Sequence, residues 1–298
     1  MSFKSSLRIA PIVRRLLLIA LAVSMVTALG DFSPVALAAG DRFEKRFPTG
    51  SSPQVILTND NGFVVVRGVP RNEVHVVATK RSTGVEIDTE SVGNRVRFDT
   101  HWLDPNMKPF ERTVDYVLEV PERAAVEIHN VTGRVKVEDV KGNVNVDALN
   151  SSMELSGVAG SMILRSVSGS MTVSNSSGRI EANSISGDIQ FNNLQSQSID
   201  ASTASGNISY IGPFFDNGKY ALSNYSGAID VVTPEDSSFE LDARSVKGSV
   251  QSEIPLKSKP HYNLNPTNLK QSLLGIYNDG AASVHLSSFS GRIRIRKK

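Results

Sequence analysis

The sequence predicts an all-β fold, a parallel β-helix or β-solenoid, and two observations carry that prediction. Glycine recurs every nine residues through much of the chain, and apolar residues follow it at the second and fourth positions. The stretch from Ser166 to Asn193, SVSGSMTVSNSSGRIEANSISGDIQFNN, contains three such units. Alternation after a turn is typical of short strands with one buried face. A nine-residue unit cannot bury that face alone, so we expect the units to stack at about 4.8 Å intervals.

The repeat can be followed along the chain by its turn positions, which are Gly133, Gly142, Ser151, Gly160, Gly169, Gly178, Gly187 and, after a one-residue slip, Gly206. Glycine suits a tight corner because the corner often needs positive φ, which strains other residues. A third apolar residue stands two positions before the turn, and we expect it to fill the corner at Val131, Val140, Val158, Val167 and Ile185. Steps of 21 residues to Gly227 and then to Gly248 favour two nine-residue units per rung, but spacing alone does not exclude three units per rung.

The sequence divides into three regions. Residues 1–38 are predicted to be a signal peptide, because four basic residues precede the apolar run Leu16 to Leu29 and small residues follow it. The run is shorter than the roughly 20 residues of a membrane span, so an uncleaved anchor is the alternative. Residues 39–130 form an N-terminal β region, which is either a small β-sandwich or the first irregular rungs. Residues 131–298 carry the solenoid repeat, with a loop excursion at 252–278 and a short helix expected at Asn268–Leu274.

Charge and cysteine content argue against several classes of protein. Of 32 basic and 30 acidic residues, four and one respectively lie in residues 1–38, which leaves 28 basic and 29 acidic residues. A nearly neutral chain gives no support to a nucleic-acid partner. The absence of cysteine excludes disulfides and a lipidated cysteine anchor. The C-terminal SGRIRIRKK should place Ile293 and Ile295 inward and its arginines outward, as a charged edge strand that discourages association. A polyanion-binding patch is the alternative.

No combination of residues predicts catalysis, a metal or a cofactor. The five histidines form no close pair, and no G-x-S-x-G motif occurs; the histidines are His75, His101, His129, His261 and His285. We therefore expect no catalytic, metal-binding or cofactor-binding residue, and no enzyme. Some parallel β-helices cleave acidic polysaccharides with outward carboxylates, so an enzyme of that kind is an alternative. Its candidate carboxylates are spread singly over many repeats: Glu138, Asp139, Asp147, Glu181, Asp188, Asp200 and Asp230.

Six aromatic residues are the candidate ligand contacts, because binding sites commonly use exposed aromatic surface. They are Trp102, Tyr210, Phe214, Phe215, Tyr220 and Tyr225. Packing in the core or at a corner is the alternative for each of them.

The segment VDYVLEVPERAAVEIHNVTGRVKV (Val114 to Val137), the SG-x-[IV] units and the terminal SFSGRIRI resemble the putative-adhesin family of bacterial β-helical domains over roughly residues 50–298. The resemblance implies a right-handed parallel β-helix that is exported to the periplasm, the outer cell surface or the medium, and it brings no catalytic motif. We expect a non-enzymatic protein that presents a polar strand face to an extended ligand, an envelope or extracellular glycan or protein. It would have no membrane span after signal cleavage. A periplasmic scaffold or sensing module is a further alternative.

Overall fold

A computed structural model describes residues 41–257 and 270–298, so the predicted signal peptide lies outside it. These residues form a single sheet of 21 strands, and no helix occurs among them. The predicted all-β class is therefore confirmed. The helix expected at Asn268–Leu274 is wrong from residue 272, because Ser272–Tyr277 form a strand that pairs antiparallel with Phe239–Arg244; residues 268 and 269 lie outside the described ranges. None of the described residues forms a helix that could cross a membrane.

The strands differ in length because some cover one side of the molecule and others bend round a corner. The N-terminal strands are β1 (Asp41–Pro48), β2 (Gln54–Val69), β3 (Glu73–Lys80), β4 (Val85–Val92), β5 (Arg95–Trp102) and β6 (Val114–Pro121). The repeat contains β7 (Ala125–Glu138), β8 (Val144–Ser156), β9 (Met162–Ser168), β10 (Met171–Ser174), β11 (Ser177–Ser186), β12 (Ile189–Asn192), β13 (Gln195–Ser205) and β14 (Ile208–Ile211). The remaining strands are β15 (Lys219–Ser226), β16 (Ile229–Thr233), β17 (Phe239–Ser245), β18 (Ser249–Ser252), β19 (Ser272–Tyr277), β20 (Ala282–Ser288) and β21 (Arg292–Lys297).

Two nine-residue units make one rung. Met153, Met171 and Ile189 lie side by side in parallel strands, each 18 residues after the previous one. Met162 and Ile180 are paired in the same way on the other strand of the rung. We call the side built by β9, β11, β13, β15 and the first parts of β7 and β8 the first face. The side built by β10, β12, β14, β16 and the last parts of β7 and β8 is the second face. Inward residues of both faces are fully buried against one another in one continuous apolar core.

Glycine is favoured at both corners of the rung because successive backbones almost touch there, and Ser151 is a side-chain-bearing exception at the glycine corner. At the glycine corner, which leads from the first face to the second, a Cβ on Gly169 would lie 2.2 Å from the carbonyl oxygen of Ser151 in the preceding rung. At the return corner, a Cβ on Gly160 would lie 2.1 Å from the carbonyl oxygen of Gly142. Real Cβ atoms do not approach an oxygen so closely. The nine-residue glycine period therefore arises from two separate columns of glycines, one at each corner, and each column has a period of 18 residues.

The third apolar position fills only one of the two corners. Val140 and Val158 are fully buried at the return corner, as predicted. Val131, Val167 and Ile185 are instead exposed at the glycine corner, so the prediction is wrong for these three. The reason is that the residue before each of them points inward and is polar: Ser166 donates a hydrogen bond to the carbonyl oxygen of Ser168, 2.8 Å away. Because side chains alternate along a strand, the following apolar residue must then face outward.

The rungs at the two ends of the stack are out of chain order. Strands β20 and β21 lie between β15–β16 and β17–β18, so the last rung of the chain is inserted one place from the end. At the other end, β2 lies between β7 and the rung of β5 and β6. Ile293 and Ile295 point inward as predicted, but β21 is not an edge strand, because β16 and β18 pair with its two sides. Residues 54–69 and 95–121 are thus rungs continuous with the repeat.

Candidate ligand-contact surfaces

Three of the six candidate aromatic residues belong to the core, which corrects their assignment as ligand contacts. Tyr210, Phe214 and Tyr220 are buried, and the ring centroids of Tyr210 and Phe214 are 4.9 Å apart in a stacked pair. The edge of Tyr220 packs against Phe214 at 4.7 Å, and its hydroxyl donates a hydrogen bond to the carbonyl oxygen of Ser196. The loop between β14 and β15 turns Phe214 inward, and this loop accounts for the longer step between these rungs.

The other three aromatic residues are at least partly exposed and lie in different places. Trp102 ends β5, and the guanidinium of Arg112 covers its ring at 4.4 Å. Tyr225 is exposed at the glycine corner, where its ring stacks on Phe289 with centroids 4.6 Å apart. Phe215 lines an open depression of about 400 Å³ at the return corner. The structure therefore does not gather the predicted aromatic residues into one site.

Phe215 does have polar neighbours that could bind a ligand. The depression is lined by Phe215 together with Gly178, Arg179, Gln195, Gln197 and Ser198. The side-chain amide of Gln197 donates a hydrogen bond to the carbonyl oxygen of Asp216, which holds the loop beside this depression. An aromatic ring beside amide, hydroxyl and guanidinium groups offers both an apolar surface and hydrogen-bond partners.

The outer side of the second face carries a field of uncharged polar side chains, here called the polar grid. It consists of Ser156, Thr172, Ser174, Gln190, Asn192 and Ser209. The strands MTVS and IQFN place two of these side chains outward and two apolar side chains inward, because direction alternates at each residue. Neighbouring strands repeat the pattern about 4.8 Å apart. The grid is therefore an array of hydroxyl and amide groups with the period of the solenoid. It ends at Glu154, which stands opposite Thr172 on β8, and at Ile211, which stands opposite Asn192 on β14.

Ion pairs border the polar grid on both sides along the axis. Glu138 bonds with Lys136 at 2.6 Å and with Arg67 at 2.9 Å, and these two cations lower the pKa of the Glu138 carboxyl. Beyond the other border, Arg294 donates to Asp230 at 2.8 Å across adjacent strands. Arg294 is thus already paired within the protein, which argues against the alternative of a polyanion-binding patch at this position.

The first face is charged instead, and its charges are paired along the axis. His129 lies between Glu127 at 3.0 Å and Asp147 at 3.6 Å. Arg165 lies between Asp147 at 3.5 Å and Glu181 at 3.7 Å. The contact of Glu127 with His129 lies within β7, whereas the other three join side chains of successive strands, so outward carboxylates that are isolated in the sequence become neighbours in space. Glu181 and Asp200 also stand opposite each other on β11 and β13.

The polar groups do not form a recognisable metal centre in residues 41–257 or 270–298, where no group of three or more His, Asp or Glu side chains could hold an ion. His75 and His129 are strand residues on outer faces, as predicted, and both contact carboxylates. His261 lies outside the described ranges. The sequence analysis did not find the polar grid, although the outward Thr, Ser, Gln and Asn between inward apolar residues would have indicated it.

The fold and its outer surfaces define an all-β, solenoid-like protein with flat polar faces. Residues 58–296 match the Toastrack DUF4097 family, and the chain belongs to that family. The family relationship that the sequence predicted is thereby confirmed. No curated protein matches the chain.

Several solved structures are similar to this chain, and two of them are putative adhesion proteins of other bacteria. A putative cell adhesion protein from Clostridium sporogenes is 13% identical, with 87% of this chain and 100% of that chain covered and a TM-score of 0.31. A putative adhesin from Bacteroides fragilis is 11% identical, with 87% and 98% covered and a TM-score of 0.34. Both TM-scores are low, so the description of the fold rests on the strand pairing of this chain.

Proposed function

We propose that this protein is an exported, non-enzymatic binding protein of the bacterial cell envelope or surface, with an adhesin-like role. Its polar grid would bind an extended ligand, a glycan or a segment of another protein. The basic and apolar N-terminal sequence supports export, since it has the features of a cleavable signal peptide. We also propose a right-handed winding, because connections between parallel strands are right-handed in about 98% of cases.

The observation that carries the proposal is the uncharged grid itself. The first face of this protein carries side chains of both signs of charge. The six residues of the grid instead offer only hydroxyl and amide groups, at a constant spacing along the axis. A repeating ligand could make the same hydrogen bonds on several successive rungs, and many weak bonds would add up along its length.

An enzyme that acts on polysaccharides is the second candidate, and the neighbouring carboxylates Glu181 and Asp200 favour it. Paired carboxylates can supply the acid and base of glycoside hydrolysis. Arg165 contacts Glu181, and Asn183 donates a hydrogen bond to it, which gives that carboxylate two partners already. Release of reducing ends from acidic glycans by the purified protein, with loss of release in Glu181→Gln, would favour this candidate over a binding protein.

Binding can be tested on peptidoglycan sacculi and on a printed array of bacterial and host glycans. In the test variant, Ser156→Glu and Ser174→Glu add two carboxylates to the polar grid on neighbouring strands. The matched control, Ser202→Glu and Ser223→Glu, adds the same two carboxylates to neighbouring strands of the first face. We expect the grid variant to lose at least tenfold in affinity and the control to bind like the unchanged protein. Equal losses in both variants would contradict a ligand site on the grid, and no binding to any probe would contradict a glycan ligand.

A further inference from the structure

The glycine corner carries a continuous line of outward apolar side chains, one on each of eight neighbouring rungs, and all but the half-buried Phe289 are exposed. In spatial order, this apolar ridge consists of Val131, Leu149, Val167, Ile185, Ala204, Tyr225, Phe289 and Val246. Six of the ten large hydrophobic residues that are exposed among the described residues lie on it, with exposures from 39% at Val131 to 61% at Val246. The ridge is about 34 Å long at about 4.8 Å per rung.

The geometry of the corner explains why the ridge faces solvent. Each ridge residue is the second residue of a four-residue corner such as SVSG, SISG, NYSG or SFSG. In every corner except that of Leu149, which begins with Ala148, the first residue is polar and points inward. Thr203, for example, donates to the carbonyl oxygen of Gly187, and Asn224 to that of Gly206. The glycine is fixed by the close approach of the next rung. Nothing in this packing requires an apolar residue at the exposed position, and eight in succession are unusual for a solvated surface.

We propose that the apolar ridge is the contact by which two copies of this chain form an antiparallel dimer. A second copy presents the same spacing of about 4.8 Å, so the side chains of the two ridges can interdigitate along the whole line. A two-fold axis makes the contact self-complementary, as in most homodimers. The contact is one residue wide, so its area is at the low end for specific interfaces and we expect a micromolar dissociation constant.

Charge and side-chain size both favour the antiparallel direction. Asp60 continues the line beyond Val131, and Lys247 follows Val246 at the opposite end. Antiparallel copies bring each Asp60 towards the Lys247 of the partner, whereas parallel copies would bring like charges together. The same arrangement places Ile185 opposite the small Ala204, and Leu149 opposite Phe289. At the centre of the contact, Ile185 thus meets the space beside a small side chain, whereas a parallel arrangement would place Ile185 opposite Ile185.

Disulfide cross-linking tests the direction of the contact, because the chain has no cysteine of its own. The exported form of Val131→Cys is mixed with a differently tagged Val246→Cys form and oxidised. We expect a mixed dimer of the two tagged chains. Each variant alone should not cross-link, because its two cysteines would be seven rungs, or about 34 Å, apart and far beyond disulfide reach. Efficient cross-linking of Val131→Cys to itself would show a parallel contact and overturn the proposal.

Sedimentation equilibrium measures the strength of the contact. Ile185→Ser should weaken dimerisation at least tenfold, whereas the control Ile211→Ser should not, because Ile211 is an exposed isoleucine on the second face outside the ridge. Asp60→Lys and Lys247→Asp should each weaken the dimer, and together should restore it. A protein that stays monomeric at high micromolar concentration, or one that dimerises equally well with Ile185→Ser, would overturn the proposal.

Discussion

At the scale of single residues, the glycine columns limit the sequence more tightly than the core does. Two separate effects exclude side chains there, the close approach of the next rung and positive φ. Gly169 is subject to both, with φ +121° and a Cβ position 2.2 Å from the carbonyl oxygen of Ser151. Gly187 is subject to the close approach alone, because its Cβ position lies 2.2 Å from the carbonyl oxygen of Gly169. Gly93 is subject to positive φ alone, with φ +59° and open space around its Cβ position. The three positions therefore allow the two effects to be measured separately.

Alanine at these glycines should reduce stability in a fixed order. We expect Gly93→Ala to lower the free energy of unfolding by about 1 kcal/mol because of backbone strain. Gly187→Ala should lower it by about 2 kcal/mol or more because the new Cβ collides with the neighbouring rung. Gly169→Ala combines both effects and should cost the most. Urea unfolding followed by circular dichroism gives the free energies. If Gly93→Ala were as destabilising as Gly169→Ala, the close approach of the rungs would not be the dominant constraint.

A second column of special residues lies at the end of the second-face strands. Asp139, Gly157, Asn175 and Asn193 follow one another at 18-residue intervals, and all have positive φ. The side-chain amide of Asn193 also donates to the side-chain oxygen of Asn175 at 2.9 Å, as expected for a polar ladder. Asn193→Gly should lose only this bond, about 0.5–1 kcal/mol, whereas Asn193→Ala should lose a further 1 kcal/mol or so through backbone strain. Equal unfolding midpoints for the two variants would contradict a role for positive φ here.

At the scale of elements, the loop between β14 and β15 inserts an aromatic group into the core. Burial raises the pKa of Tyr210 and of Tyr220, and it also raises the pKa of Tyr116 in β6. The folded state therefore holds these phenolic protons more tightly than the unfolded state does. The resulting stability is complete below the ordinary tyrosine pKa of about 10 and is lost as the pH rises above that value.

Alkaline unfolding tests this link between burial and titration. We expect the free energy of unfolding to fall steeply above pH 10. In Tyr210→Phe the fall should be shallower, although the variant starts about 1 kcal/mol lower because it loses the hydrogen bond from Tyr210 to the carbonyl oxygen of Pro213. Tyr225→Phe is the control, since Tyr225 is exposed. A fall of equal steepness in Tyr210→Phe would indicate that other groups cause the alkaline loss.

The elements show where sequence patterns were sufficient and where they were not. The inward residues of each unit, such as Met171 and Val173, follow directly from alternation and are buried as predicted. The nine-residue period hid the difference between the two corners, because it treats Val158 and Val167 as equivalent. An 18-residue period separates them, and the polar residues at 166 and 184 then indicate that Val167 and Ile185 face outward. The aromatic residues of the loop were ambiguous because an insertion between rungs can point either way.

At the scale of the whole molecule, the inserted rung joins distant parts of the chain. Strand β20 pairs with β15 on one side and with β17 on the other, so its position depends on segments far apart in sequence. No local pattern specifies this order, which is why the sequence predicted β21 to be an edge strand. The regular rungs were predictable because each contacts its sequence neighbours, as in other solenoids.

Removal of residues 282–298 should therefore damage the fold far more than removal of a terminal rung would. β17 and β18 each lose their parallel partner, and β15 and β16 become edges. We expect the segment from β15 onwards to become sensitive to protease under native conditions. The control is removal of residues 41–48, because β1 pairs only with β3. Equal protease resistance in the two truncated proteins would show that the inserted rung does not join the C-terminal strands.

The proposed role as a binding protein outside the cytoplasm depends on where this Toastrack protein is located in the cell. A tag in the exposed loop between β5 and β6 can be followed through cell fractionation, N-terminal sequencing and treatment of intact cells with protease. We expect a chain that starts near residue 39, lies outside the cytoplasm and loses its tag to external protease. A full-length chain in the cytoplasm would contradict it. A processed chain that is protected in the periplasm would contradict the adhesin-like role and favour an envelope scaffold.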